Sequence, residues 1–214
     1  MSVNVPRKAK SNVPLLESGV YPAICIGLVD FGAQFNKRWN KTSEEIQLVF
    51  EVVGEMVDIE GEDMPRWLSQ GFTKSLGDKS NLRAALKTWR GRDINDGDFD
   101  GADNFDLEQL IGMGCQLSVA ISEDGQYNNV SGIMGLPKGI KAARPISDTF
   151  VFDMHAENAA EVYAKLPQWM RDKIDRSLTW QEIRAGSEDM DMDDDPKVDM
   201  ETGEIKREGR KPTF

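Results

Sequence analysis

A single helix pattern lies between two groups of strand patterns, and this order limits the fold more than any other feature of the chain. The helix is predicted over residues 80–90, within the stretch GFTKSLGDKSNLRAALKTWRGR at 71–92. Ser80 suits its N-cap, because a serine hydroxyl can accept an early unpaired backbone N–H, and Gly91 suits its end. The apolar residues recur at helical spacing on one face; they are Leu82, Ala85, Leu86 and Trp89. This stripe predicts a core role for Trp89.

The strand patterns lie on both sides of that helix. Three are predicted before it, at 19–31, 45–53 and 70–76, and two after it, at 114–122 and 126–133. The alternation of apolar and polar residues in several of them is typical of half-buried strands. Residues 54–69 are predicted to be a polar, acidic connection, and residues 107–111 a short helical turn. The order predicts a mainly β protein with helices, namely an OB-fold five-stranded barrel with a helix between strands 3 and 4.

The termini and the C-terminal third have a different composition. Residues 1–17 are predicted to be a flexible basic arm and 18–146 the OB-fold domain. Residues 147–186 are predicted to be a helical extension, interrupted at Leu166-Pro167, that covers the barrel or contacts a second copy in a homodimer. Residues 187–214 form an acidic block of low hydrophobicity followed by a few cations, and we expect this tail to be disordered.

Composition excludes several classes of function. The chain has 214 residues, a formal net charge of −11 and 39% hydrophobic residues, which suits one domain with appendages. No apolar run approaches the roughly 20 residues that span a bilayer, and the N-terminus does not resemble a secretory signal. With one histidine, two cysteines and no phosphate-binding or nucleophile motif, we expect no enzyme activity, no metal and no cofactor. A cytoplasmic protein is expected, with both thiols reduced.

A local excess of positive charge contrasts with the acidic chain. Residues 79–92 contain five cations and no anion. A basic surface on an acidic protein suggests a polyanionic partner. The alternative is a solvated helix face, which is the usual role of charged helix residues.

Four stretches together resemble a known family. They are GVYPAICIGLVDFGAQ, KSNLRAALKTWRGR, LPKG at 136–139 and LPQWMRDKIDRSLTW, and they span about residues 18–181. The chain resembles bacteriophage single-stranded-DNA-binding proteins with an OB-fold core. The resemblance implies a protein that coats exposed single strands during phage DNA replication, recombination and repair, in the cytoplasm of a host cell.

The resemblance also implies a role for the acidic tail. Such tails recruit replication or recombination proteins, and the matching residues here are Asp193, Asp194, Asp195 and the terminal Phe214. This chain departs from the pattern because KREGRKPTF follows the acidic block. The residues alone leave three roles open for the block: a spacer, a metal cluster that its spacing disfavours, or a competitor for the cationic groove.

Binding a single strand without reading its sequence requires cations for phosphates and aromatic faces for bases. Each stacked base contributes roughly 1–3 kcal/mol, and one OB-fold covers roughly 4–16 nucleotides. Trp39 is the strongest aromatic candidate, because it lies between cations in a polar loop. Phe72 is divided evenly between a core role and a stacking role. The full set of candidates is Lys37, Arg38, Trp39, Lys41, Phe72, Lys74, Lys79, Arg83, Lys87, Arg90, Tyr127 and Lys138.

A second reading of the chain remains open. The net charge of −11 also suits an acidic protein-interaction module, or a DNA mimic that binds no nucleic acid. A nuclease has the least support, because carboxylates such as Asp30, Glu51 and Asp106 lack a spacing that asks for magnesium. Titration with oligonucleotides distinguishes these readings.

Overall fold

The chain folds mainly into strands. A computed structural model describes residues 13–59, 61–100 and 104–192. Its strands are β1 Gly19–Asn36, β2 Lys41–Ile59, β3 Glu62–Thr73, β4 Gly114–Ile121, β5 Asn128–Met134 and β6 Phe150–Phe152. Its α-helices are α1 Asn81–Arg90, α2 Ala159–Lys165, α3 Gln168–Ile174 and α4 Leu178–Met192.

The strands form one sheet in the order β3-β2-β1-β4-β5, with antiparallel neighbours throughout. The short strand β6 pairs with β1 in parallel. The mainly β fold with a helix between the third and fourth strands is therefore confirmed. The hydrogen-bonded sheet is open among the described residues, with β3 and β5 as its ends, so the predicted OB-fold barrel is not established.

The first strand is buried on both faces, because its sequence is an almost continuous apolar run. Cys25 and Leu28 face a core that the other long strands and α1 share. Ile26, Val29 and Phe31 face a second core, on the opposite side of the sheet. The second core is closed by β6 and the C-terminal helices, and its other buried members are Val49, Phe152, Met154, Ala159, Leu166, Met170 and Ile174.

The predicted acidic connection at 54–69 is wrong. β2 continues to Ile59 and β3 begins at Glu62, so these residues form a two-stranded antiparallel ribbon instead. The strand passes through a register shift after Glu51 that includes Gly54, whose φ of +79° suits glycine. Because this segment is rich in acidic residues, the alternation of apolar and polar residues that predicts a strand could not be recognised here. We call residues 54–65 the acidic ribbon.

Helix α1 forms as predicted. The Ser80 hydroxyl accepts the backbone N–H of Arg83 at 3.1 Å, and Gly91 ends the helix with a φ of +72°. Trp89 is 3% exposed, and its indole N–H donates to the Gly114 carbonyl at 3.0 Å. The predicted core role of Trp89 is confirmed.

The chain ends meet the fold at defined places. Leu16 is buried in the first core, and its backbone exchanges two hydrogen bonds with the Asn128 side chain, at 2.8 and 2.9 Å. The predicted break at Leu166-Pro167 separates α2 from α3. Helix α4 runs through Met192, and residues 193–214 of the predicted tail lie outside the described residues, as do residues 1–12 of the predicted arm. None of the described helices is long and apolar enough to cross a membrane.

Candidate nucleic-acid interface

The cations of α1 are held by aspartates of the same chain. Arg83 pairs with Asp78 at 2.6 Å and with Asp93 at 3.0 Å, and Lys87 also pairs with Asp93, at 3.1 Å. Hydrogen bonds from Arg83 and Lys87 lower the pKa of Asp93 to about 2. The basic character of the helix is thus largely neutralised by residues just before and after it.

The last turn of α1 shows the same arrangement. Arg90 and Arg92 both bind Asp98, whose side chain is only 7% exposed. Hydrogen bonds from Arg92 and Arg90 hold the pKa of Asp98 well below its usual range. The Arg90 guanidinium also lies 5.3 Å from the centre of the Phe105 ring. Lys79, at the start of the helix, is exposed, and no salt bridge joins it to another described residue.

Two candidates on and after β3 are also engaged within the protein. Phe72 is 8% exposed and belongs to the first core. Of the two roles that the sequence left open for Phe72, this burial supports the core role. Lys74 binds Asp30 at 2.5 Å. Partial burial lowers the pKa of Lys74, but the hydrogen bond to Asp30 and the charges of Asp30, Glu44 and Asp153 outweigh it, so the net shift is upward.

The turn between β1 and β2 is different. We call residues 35–41 the hairpin tip. Trp39 is 70% exposed and Phe35 is 49% exposed, and the Arg38 guanidinium lies 5.2 Å from the Trp39 ring centre. Its three cations, Lys37, Arg38 and Lys41, form no salt bridge with any described residue.

Local hydrogen bonds fix the conformation of the tip. The Asn36 side-chain oxygen accepts the backbone N–H groups of Arg38 and Trp39, at 3.0 and 3.3 Å. Asn40 adopts a φ of +47°, a conformation that asparagine tolerates better than most residues. The tip therefore presents an aromatic ring and three positive charges in a defined geometry.

The C-terminal helices anchor the base of this hairpin. Gln34 donates to the carbonyls of Phe31 and Lys173, at 2.7 and 3.1 Å. Lys173 pairs with Glu45 at 2.8 Å and lies 4.3 Å from the centre of the Phe31 ring. Sequence reasoning missed this anchor, because nothing in the spacing of α3 indicates which strand it contacts.

The remaining candidates lie apart from the tip. Tyr127 is 47% exposed, in the turn between β4 and β5. The register pairs Gly19 with Val119, so this turn lies near the start of β1 and the tip lies at its end. Lys138 is exposed in the segment between β5 and β6, which also carries Lys141 and Arg144.

A groove separates the two end strands of the sheet. It encloses ≈ 320 Å³ between β3, α1 and β5. The Thr88 hydroxyl donates to the Ile133 carbonyl at 2.8 Å and so ties α1 to β5 beside it. Among the described residues, no charged side chain lines it; the lining residues are Gln70, Phe72, Asn81, Ala84, Ala85, Thr88, Val130, Ser131, Gly132, Ile133 and Met134. Sequence alternation alone could not place these strands opposite each other.

A buried carboxylate holds the segment that leads into β6. Glu51 is 3% exposed and accepts the backbone N–H groups of Ile146 and Ser147, at 2.8 and 2.7 Å. Burial raises the pKa of Glu51, but the Ser147 hydroxyl and these two N–H groups outweigh that effect and lower it overall. The Trp67 indole N–H donates to the Ser147 hydroxyl at 2.8 Å. Glu51 is thus a structural anchor.

Comparisons with known proteins add no assignment. No family model matches this chain, and no curated protein is similar to it in sequence. Within residues 13–59, 61–100 and 104–192, no group of three or more His, Cys, Asp or Glu side chains could hold a metal ion. The tail residues Asp193, Asp194, Asp195 and Phe214 lie outside the described residues.

Proposed function

We propose that this protein binds single-stranded DNA without sequence preference and protects exposed strands during phage DNA replication, recombination and repair. The observation that carries the proposal is the hairpin tip, with an exposed Trp39 among three cations that no described carboxylate neutralises. Such a combination suits base stacking next to phosphate contact. The proposed place of action is the host cytoplasm.

The charge distribution supports a contact centred on the tip. Phosphate binding gains free energy when cations release the counterions condensed on the nucleic acid. A cation that already binds an aspartate, such as Arg83 or Arg90 on α1, must first lose that partner. Lys37, Arg38 and Lys41 carry no such cost, so they are the proposed primary phosphate contacts. Lys79 and Lys138, also without salt bridges to described residues, are secondary candidates.

The architecture supports an OB-type arrangement. Since each neighbouring pair in the order β3-β2-β1-β4-β5 is antiparallel, β3 and β5 run in the same direction. Both line the groove over α1, and residues of all five strands meet in one core. We propose that the sheet is a barrel with a gap between β3 and β5, which suits the OB-fold.

The test is a titration of the full-length protein into labelled oligo-dT at several salt concentrations. We expect measurable binding. The logarithm of the association constant should fall by about 0.7 per phosphate contact for each tenfold rise in salt concentration. Replacing Trp39 with Ala should weaken binding by about 5- to 150-fold, which corresponds to one stacked base. Replacing Lys37 and Lys41 with Ala should reduce the salt slope by about 1 to 1.5.

Matched controls come from the same chain. Trp169 is 47% exposed but lies on α3, and Lys87 is half-exposed but binds Asp93. Replacing either with Ala should change the affinity less than twofold. The proposal fails if the wild-type protein does not bind oligo-dT, or if the tip variants bind as tightly as the wild type.

A second candidate function has one observation in its favour. Neutralisation of the α1 cations leaves a described surface on which acidic groups such as those of the acidic ribbon dominate, as an interaction module or DNA mimic requires. That function predicts no affinity for oligo-dT at any salt concentration. The same titration therefore separates the two.

A further inference from the structure

The acidic ribbon carries an apolar face with exposed side chains. Directly opposite residues in an antiparallel pair share a face, and the register pairs Val57 with Met64 and Ile59 with Glu62. Ile59 is 48% exposed and Met64 is 42% exposed. Two large apolar side chains therefore lie open to solvent on one face of a two-stranded ribbon.

This face continues the core face of the sheet. Side chains alternate along a strand, so Met64, Arg66 and Leu68 of β3 point to the same side. Leu68 belongs to the first core and Arg66 is 7% exposed. Within the ribbon, Val57 of this face is also buried, at 7% exposed, so the open part of the face lies at Ile59 and Met64.

The N-terminal segment runs beside this face as far as Arg66 of β3. Leu16 is buried in the first core beside Asn128 of β5, and the Pro14 carbonyl accepts a hydrogen bond from Arg66 of β3 at 2.5 Å. The chain therefore crosses from β5 to β3 as it is followed towards its N-terminus.

The charge and the length of residues 1–12 match those of the acidic ribbon. The ribbon segment 54–65 has no cation, whereas residues 1–12 have no anion and carry Arg7, Lys8 and Lys10. At roughly 3.3–3.6 Å per residue, Lys10 and Arg7 reach about 14 and 25 Å from Pro14. The ribbon extends about 13 Å from Arg66 to Glu62, well within that reach.

The ribbon carries like charges close together. Asp58 and Asp63 are directly opposite in the register, on the face turned away from Ile59 and Met64, and like charges in that position destabilise a strand pair. Glu62 shares the face of Ile59 and Met64. Salt bridges among the described residues supply no cation to Glu55, Asp58, Glu62 or Asp63.

We propose that residues 1–12 dock on the apolar face of the acidic ribbon of the same molecule, with apolar residues of the arm towards Ile59 and Met64 and its cations towards Glu62, which shares that face. The docked arm covers the exposed apolar side chains and neutralises Glu62. This interaction does not depend on the proposed DNA binding.

The first test is zero-length carbodiimide coupling of the full-length protein at low salt, using an equal mixture of ¹⁴N- and ¹⁵N-labelled chains. Carbodiimide joins an amine to a carboxylate only where the two are in contact. We expect isopeptide links from Lys8 or Lys10 to Glu62, with both peptides carrying the same isotope. Absent links, or links of mixed isotope that show an arm from a second copy, would overturn the proposal.

The second test measures backbone hydrogen exchange in the ribbon. The triple variant Arg7→Glu, Lys8→Glu, Lys10→Glu should speed exchange across residues 56–64 roughly threefold or more at low salt. Adding Glu62→Lys to that variant should restore part of the slow exchange, because a positive charge on the ribbon face then meets the negative charges of the arm.

The control variant, Lys206→Glu, Arg207→Glu, Arg210→Glu, makes the same change in net charge at the other terminus. It should leave exchange in the ribbon unchanged. If this control deprotects the ribbon and the arm variant does not, the C-terminal tail is the occupant and the proposal is wrong.

Discussion

Replacing Glu51 with Gln tests whether one buried carboxylate holds the segment between β5 and β6 on the sheet. Glutamine has nearly the same shape, but it offers one oxygen where Glu51 offers two to the N–H groups of Ile146 and Ser147. The substitution removes one charge-assisted hydrogen bond and places an amide N–H₂ against a buried N–H. Hydrogen bonds to charged groups contribute about 1.5–3 kcal/mol each, so we expect a loss of about 2–3 kcal/mol.

The loss is measured by urea unfolding at pH 7, with tryptophan fluorescence as the signal. Trp67 donates to the Ser147 hydroxyl, so its emission reports on the same contact. For a domain of this size the melting temperature should fall by roughly 5–10 °C. Glu123→Gln, in an exposed turn, is the matched control and should change the free energy of unfolding by less than about 0.5 kcal/mol.

The stability difference should also depend on pH. Because the folded protein lowers the pKa of Glu51, its contribution is complete above the pKa of the unfolded chain and is lost as the pH falls through the lower folded value. The difference in the free energy of unfolding between the wild type and the Glu51→Gln variant should therefore decrease only at acidic pH, below the ordinary pKa range of a glutamate. Equal stability of the two proteins at pH 7 would refute the anchoring role.

The two remaining predictions concern the cores. Gly27 lies against Phe150, where an added Cβ would clash with three ring carbons, Cζ and, at 2.7 and 2.8 Å, Cε1 and Cε2. Gly27→Ala should therefore destabilise the protein by about 1–3 kcal/mol in urea unfolding, and an unchanged midpoint would contradict this packing. Burial raises the pKa of the Cys25 thiol to about 12 and also raises that of Cys115. A thiol reagent at pH 8 should therefore label neither cysteine until urea unfolds the chain, and rapid labelling of the native protein would show that these thiols are accessible.

Local patterns predicted the elements that depend on neighbours in sequence. Helix α1, with its cap at Ser80 and its end at Gly91, follows from side-chain spacing and backbone preference alone. The alternation in β4 predicted its strand for the same reason. These features need no knowledge of what the element packs against.

The partners of charged groups could not be predicted in this way. The cations of α1 stand in a segment without anions, yet their carboxylates come from Asp78, before that segment, and from Asp93 and Asp98, after it. The charge counted over residues 79–92 suggested an unpaired basic surface. The turns on either side of the helix bring aspartates next to its cations and neutralise them. The three cations of the hairpin tip have no such carboxylate partner among the described residues.

The strands of the acidic ribbon could not be predicted from the sequence for a related reason. Its strands carry acids and a glycine, which are rare in strands, and their pairing is fixed by continuation from the buried halves of β2 and β3. Strand β6 has only three residues, too few for a pattern to be recognised. Tertiary context, which no local pattern contains, determines both.

The double burial of β1 has a consequence for how the chain can be shortened. Ile26, Val29 and Phe31 meet residues beyond 146 on one side, while Cys25 and Leu28 meet the remaining strands on the other. A fragment ending at residue 146 would expose one side of its central strand to water and lose the anchor of the hairpin tip at Lys173. We expect such a truncated protein to aggregate rather than to form a minimal binding domain. The residues after 146 must therefore be present in the same chain for the sheet to fold.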